Sequence, residues 1–410
     1  MTMTREYPTF VSHLECSLTG EHYEADQLHG LSREAKPLLV RYDLDALANS
    51  ITKDDLTTRP ADMWRYREFL PVRRGNDIVS LGEPMTPLLT CPRLAAKLGV
   101  NQFMFKDESR MPTGAFKARG LAVAISMAKA LGVKKVAIPT AGNAGAAAAA
   151  YTARAGIDCY VFCPDDTPDI NVRETAAQGA RVWLVNGLIN DCGRIVGEGK
   201  DAMGWFDLST LKEPYRIEGK KTLGLEIAEQ FAWQLPDVIM YPTGGGTGLI
   251  GMWKAFNELE QIGWIDSKRP RMVCVQSSGC APAVRAFERG DEQYVEPWPD
   301  PHTIAAGLRV PVAIGDRLIM RAIYDTDGFA TAVDDDSIRA AGDEVAREEG
   351  ILMCPEGAAT YAAYKKELAT GRVTKDDVVV LFNTATGLKY PLPPVTQTLD
   401  CHSPIDYTRL

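Results

Sequence analysis

Lys106-Asp107-Glu108-Ser109-Arg110-Met111-Pro112-Thr113-Gly114-Ala115-Phe116-Lys117-Ala118-Arg119-Gly120 links a strand-like run, Gln102 to Phe105, to a long apolar stretch, Phe116 to Ala130. A Pro-Thr-Gly turn separates them, so the order strand, turn, helix is predicted. Lys117 then falls in the first helical turn. A cation is poorly placed there, because the helix dipole puts partial positive charge at that end. The misfit is small, and Arg119 shares it, but it favours the neutral amine, the form that attacks carbonyls. This stretch alone leaves open a solvated lysine at a helix start.

Outward from it, short apolar runs alternate with helical segments. Pro92 to Leu98 reads as a helix, Lys135 to Pro139 as a strand, and the turn Thr140-Ala141-Gly142-Asn143-Ala144-Gly145 leads into an alanine-rich helix, 146 to 154. Strand Cys159 to Cys163, helix Val172 to Gln178 and strand Arg181 to Val185 follow. A second series runs from helix Leu223 to Trp233 through strand Asp237 to Tyr241, the loop Pro242 to Gly248 and a helix reaching Glu260. It continues with strand Arg271 to Gln276, helices 335 to 349 and Pro355 to Ala369, and strand Val378 to Phe382. This alternation predicts an α/β protein with two three-layer domains and mainly parallel sheets. The expected division is a polar N-terminal extension, 1–75, a large domain from 76–118 and 218–410, and a small domain, 119–217. Within the extension, a strand at Leu38 to Tyr42 and an amphipathic helix at Leu56 to Leu70 are expected.

Composition removes several function classes. The chain has 410 residues, 45% of them hydrophobic, enough for more than one packed core. No apolar run has the length of a membrane span, and Met1 to Glu6 lacks a signal-peptide core, so a cytoplasmic location is expected. A net charge of -9 without a basic tract argues against a nucleic-acid partner. Nine cysteines are scattered with no Cys-x-x-Cys pair, so no disulfide framework and no metal are assigned. Only five histidines are present, and three of them (His13, His22, His29) lie in the extension. Lysine chemistry gains weight accordingly.

Ligands of parallel sheets bind beyond the carboxyl ends of the strands. Four loops have that position: the Lys117 turn, the Gly142-Asn143 turn, Gly244-Gly245-Gly246-Thr247-Gly248, and Asn383-Thr384-Ala385-Thr386-Gly387. The glycine loop leaves backbone N–H groups unshielded at a helix N-terminus, which makes a phosphate cradle. It lacks the Gly-Lys-Ser/Thr of a triphosphate loop and the Gly-x-Gly-x-x-Gly of a dinucleotide site. A close helix-strand approach is the other use for such glycines. A phosphate cradle with a lysine at a helix start suggests pyridoxal phosphate, whose aldehyde condenses with lysine.

Pro112 to Gly120 resembles the Schiff-base lysine motif of fold-type II pyridoxal phosphate enzymes, and of the threonine synthase family in particular. Leu81-Gly82-Glu83-Pro84-Met85-Thr86-Pro87-Leu88, Ala141 to Ala144, the 244 to 248 loop, Thr384 to Lys389 and Leu38 to Leu44 are similar in the same order. The resemblance implies a cofactor in the cleft between the domains and a role for each matching residue. Lys117 would form the Schiff base and move protons, and Phe116 would lie against the ring. Asn143 would bond the ring's 3'-oxygen, and Gly244, Gly245, Gly246, Thr247 and Gly248 would grip the phosphate. Thr384 would face the pyridine nitrogen. Thr140, with the N–H groups of Ala141 and Gly142, would hold the substrate carboxylate. The implied substrate, O-phosphohomoserine, needs a second anion site, for which Lys106, Arg173 and Asn190 are candidates; Ser277, Ser278, His302 and Glu356 are further cleft candidates.

Ala118 departs from the Asp that commonly follows the lysine, and Cys16 stands where relatives with zinc ribbons carry paired cysteines. The family also implies a homodimer. Serine/threonine dehydration, or β-replacement as in cysteate synthase, remain the alternative reactions. A non-catalytic regulator that binds a phosphate metabolite is the alternative from another class.

Overall fold

A computed structural model of the chain describes residues 9–294, 296–405 and 407–409. The extension opens with an antiparallel three-stranded sheet of β1 (Val11–Cys16), β2 (His22–Tyr23) and β3 (Leu38–Tyr42), in the order β2-β1-β3. β3 has the bounds read from the sequence. The amphipathic helix expected at Leu56 to Leu70 is absent: helix Lys53–Thr57 stops before Pro60, and Met63–Phe69 forms a 3-10 segment broken at Tyr66. Proline cannot continue a helix and restricts the residue before it. The segment is then held by its polar groups, with Arg65 bonded to Glu229 at 2.7 Å.

The main body has two sheets. β4 (Leu88–Thr90) and β5 (Phe103–Asp107) come first in the chain, and then β6 (Lys135–Pro139), β7 (Asp158–Pro164), β8 (Arg181–Val185) and β9 (Phe206–Asp207) build a parallel sheet in the order β8-β7-β6-β9. β10 (Val238–Pro242), β11 (Arg271–Ser277), β12 (Phe329–Val333) and β13 (Val379–Asn383) join β4 and β5 in the order β12-β11-β10-β13-β5-β4. Only the edge strand β4 runs antiparallel in that sheet. Sequence reading passed over β4, β9 and β12, and over helices Ile189–Glu198, Pro282–Arg289 and Asp316–Tyr324.

The central strands are apolar throughout because both of their faces are covered. On β10, Ile239 and Tyr241 enter one core while Val238 and Met240 enter the other. In the second sheet Val136 and Ile138 pack against helix Lys117–Ala130, and Ala137 faces Tyr160 and Trp205 on the other side. Helix Tyr215–Gln230 crosses helix Lys117–Ala130 closely, since a Cβ at Gly219 would collide with the carbonyl of Arg119. The loops that leave β5, β6, β10 and β13 meet where the two sheets face each other.

Candidate functional site

A cavity of about 470 Å³ opens at that meeting point, within the usual range for small-molecule sites. Its wall includes Phe116, Lys117, Thr140 to Ala144, Asn190, Ser209 to Lys212, Gly244 to Gly248, Ala306 to Val310, Glu356, Thr384 and Tyr390. Residues far apart in sequence are thus brought to one place. Two backbone bonds fix the Lys117 turn to the end of β13: Phe116 N–H donates to the Thr384 carbonyl, and Thr386 N–H to the Gly114 carbonyl, each at 2.9 Å.

Lys117 is the first residue of its helix. Its side chain is half-buried, with surface facing the protein-walled cavity, and its ammonium lies 4.6 Å from the Phe116 ring centre. Burial lowers its pKa to about 7, helped by the Arg216 guanidinium and opposed by the Glu356 carboxylate. The neutral amine is therefore accessible at neutral pH, with desolvation rather than the helix dipole as the main cause.

Two more basic side chains lie beside it. The ammonium of Lys220 donates to the Phe116 carbonyl and sits 3.9 Å from the Phe116 ring centre. Burial, Lys117 and Arg216 push its pKa well down. Arg216 is 1% exposed, and its Nη1 donates to the Leu208 carbonyl at 2.9 Å. Its Nε and Nη2 have no hydrogen-bond partner among the described residues, although the Glu213 and Asp207 carboxylates act on it from a distance. Sequence reading missed both residues, because Tyr215 to Thr222 has no apolar period and the helix was expected to begin only at Leu223. Only their burial distinguishes them from a solvated charged face.

The anion-binding groups of the cavity are backbone N–H groups. Those of Gly244, Gly245 and Gly246 have no acceptor among the described residues, and helix Thr247–Gln261 begins directly behind them. Gly246 has φ +76°, and a Cβ there would strike Ile319. On the opposite wall, the Thr140 hydroxyl accepts from the N–H groups of Gly142 and Gly145, each at 3.0 Å, and donates to the Gly142 carbonyl. That hydroxyl closes its own turn, which leaves the N–H groups of Ala141 and Asn143 as donors to the cavity. Gly142 has φ 136°, a conformation open to glycine. Asn143 Nδ2 donates to the Tyr390 hydroxyl at 3.1 Å, and its buried Oδ1 has no partner among the described residues. A phosphate-bearing aldehyde matches this set of unpaired donors, a free amine and an orphaned amide.

Two expectations for the substrate's second anion fail in the structure. Lys106 is fully buried away from the cavity, and its three donors are taken by Glu226 at 2.7 Å and by Gln230 and the Thr86 carbonyl, each at 2.8 Å. Arg173 is exposed and paired with Asp169 at 2.7 Å, outside the cavity wall. Asn190 does line the cavity, with Arg194 one helical turn further along. Glu356 lines it as well, whereas Ser277, Ser278 and His302 do not. Arg309, unforeseen, lines the rim and holds Asp166 through two bonds of 2.6 and 2.8 Å. Ala118 is fully buried in a hydrophobic core and forms no part of the cavity wall, so its departure from Asp leaves the wall unaltered.

Among the described residues, one group brings three potential metal ligands within 4.8 Å: His13, Glu15 and His22 of the N-terminal hairpin. Its imidazoles stack 3.8 Å apart, and Arg41 already holds Glu15 at 2.6 Å. It lies outside the cavity wall.

A family model described as "Pyridoxal-phosphate dependent enzyme" matches residues 79–385. The chain is 34% identical to the threonine synthase of Methanocaldococcus jannaschii over 92% of each chain, and 34% identical to that of Methanosarcina acetivorans over the same shares. Identity to a threonine synthase of Mycobacterium tuberculosis is 34%, covering 81% of this chain and 89% of the other. Among solved structures, the processed form of threonine deaminase isoform 2 from Solanum lycopersicum superposes with a TM-score of 0.63 at 22% identity, covering 80% of this chain and 92% of that one. Maize serine racemase gives a TM-score of 0.62 at 22% identity, covering 74% and 88%. At that identity the two structures speak to the fold alone.

Proposed function

Because the chain belongs to the pyridoxal-phosphate dependent enzymes, and among them to the threonine synthase family, we propose that it converts O-phosphohomoserine and water to L-threonine and phosphate. The observation that carries this reading is Arg216, which lies behind the residues that line the cavity and close enough to Lys117 to lower its pKa. A buried guanidinium with two unpaired N–H faces is costly unless an anion supplies acceptors. Lys117 and Lys220, both with lowered pKa, lose their protons readily, so Arg216 is the lasting positive charge beside them and suits a ligand carrying more negative charge than an unmodified amino acid does.

Each residue has a task in this reading. The Gly244 to Gly248 loop and the helix start behind it would hold the cofactor phosphate. Bound there, pyridoxal phosphate supplies an electron-withdrawing ring that acidifies the substrate carbons. The Lys117 amine, titrating at about 7, would take a proton from one carbon and return it at the next. The N–H groups of Ala141 and Asn143 would fix the substrate carboxylate, and Arg216, with Asn190 nearer the rim, would bind the leaving phosphate. A homodimer belongs to the same proposal, on the family's habit.

Substitution at Arg216 tests it. Arg216→Met is expected to raise KM for O-phosphohomoserine about 100-fold, as for loss of one partner of a buried charge pair, while pyridoxal phosphate still binds. An unchanged KM in a variant that retains the cofactor would contradict the assignment.

A further inference from the structure

Glu356, Tyr390 and Asn143 form a hydrogen-bonded chain along one wall of the cavity. Gly307 N–H donates to Glu356 Oε1 at 2.7 Å, so that oxygen is already taken. The Tyr390 phenol donates to the other oxygen, Oε2, at 2.7 Å. Burial and the Glu356 carboxylate hold the phenol well above its usual pKa, so it keeps its single proton. That proton is committed to Glu356. The phenol oxygen is left to accept, and it accepts from Asn143 Nδ2 at 3.1 Å. The polarity of the chain therefore runs one way and decides which way round the Asn143 amide sits. The amide nitrogen carries two protons; Tyr390 takes one, and the second has no acceptor among the described residues.

We propose that Glu356 and Tyr390 are positioning residues that fix which way round the Asn143 amide sits, so that its N–H side is kept as a donor for the ring oxygen that the family resemblance assigns to Asn143. Asn143 opens the helix after β6, whereas Tyr390 follows β13 and Glu356 lies in helix Pro355–Thr370. The donor's orientation is thus set from the opposite sheet. The proposal rests on the cofactor and does not depend on which amino acid is the substrate.

A chain of fixed polarity predicts an asymmetry between near-isosteric changes. In Glu356→Gln the side-chain oxygen remains on Gly307 N–H, so the new NH2 group faces Tyr390. The phenol then accepts from it and donates to Asn143 Oδ1, which turns the amide over and removes the donor. Tyr390→Phe only breaks the chain and leaves the amide free to choose. Equilibrium dialysis and absorption titration with pyridoxal phosphate read the difference. Glu356→Gln is expected to weaken cofactor binding about fivefold, the worth of one hydrogen bond, and to dim the visible absorption band. Tyr390→Phe is expected to weaken it about twofold, and the double variant should match Tyr390→Phe alone, because position 356 reaches Asn143 only through the phenol. An equal loss in Glu356→Gln and in the double variant would mean that Glu356 acts through its charge on Lys117, and would overturn the proposal. Parent-like affinity and spectrum in Glu356→Gln would overturn it too.

Discussion

An amine attacks a carbonyl only without its proton, and the Lys117 pKa of about 7 makes that form half-populated near neutrality. Burial is the first cause and Arg216 the second. The sign of the pH dependence follows. Below pH 7 the protonated amine dominates, so the rate at which the cofactor-free protein takes up pyridoxal phosphate should rise about tenfold per pH unit, then level off above pH 7. Stopped-flow absorbance would measure it; a rate that keeps climbing toward pH 10 would mean an ordinary, solvated lysine. The position of Lys117 was legible in its local sequence, but the cause of its lowered pKa was not. Arg216 comes from a helix whose first turns look solvated, and the partner that removes Lys106 from the site, Glu226, is remote in the chain. Residue types can be read along a sequence, while the partners that satisfy them are set by the fold.

At the level of elements, the strand-loop-helix units were well marked. β6, β8 and helix Asp335–Glu349 have the bounds read from the apolar pattern, and the turn glycines mark their ends. The pattern failed where helices bury polar side chains. Helix Tyr215–Gln230 holds Arg216, Glu218, Lys220, Lys221 and Glu226 inside the protein, so its buried face does not look apolar. The glycine loop was legible because its conformation demands the residue. At Gly246 both the positive φ and the contact with Ile319 exclude a side chain. Gly246→Ala is expected to lower unfolding free energy by about 2–4 kcal/mol, from left-handed strain and overpacking together, and to weaken cofactor binding. Urea unfolding and absorption titration would check both; a stable variant with parent-like affinity would contradict the cradle.

Across the whole molecule, the cavity exists because two sheets present their loops to each other. A buried ionic core stands behind it. Arg119 bonds Glu108 at 2.6 Å and Glu226 at 2.5 Å, and Glu226 in turn holds Lys106. This network ties the helix that carries Lys117 to β5 and to the helix that carries Arg216. Ion pairs also span the gap between the sheets near the cavity, Arg309 with Asp166 and Lys389 with Glu174 at 2.6 Å. The two-sheet architecture could be read from the alternating pattern, but these cross-links could not, since each joins residues that have no local relation. The account as a whole turns on what the loaded protein does to a phosphorylated amino acid. The holoenzyme should be incubated with O-phosphohomoserine while phosphate, threonine, ammonia and 2-oxoacid are measured. Phosphate and threonine in equal amounts are predicted; ammonia and 2-oxoacid without phosphate would contradict the account.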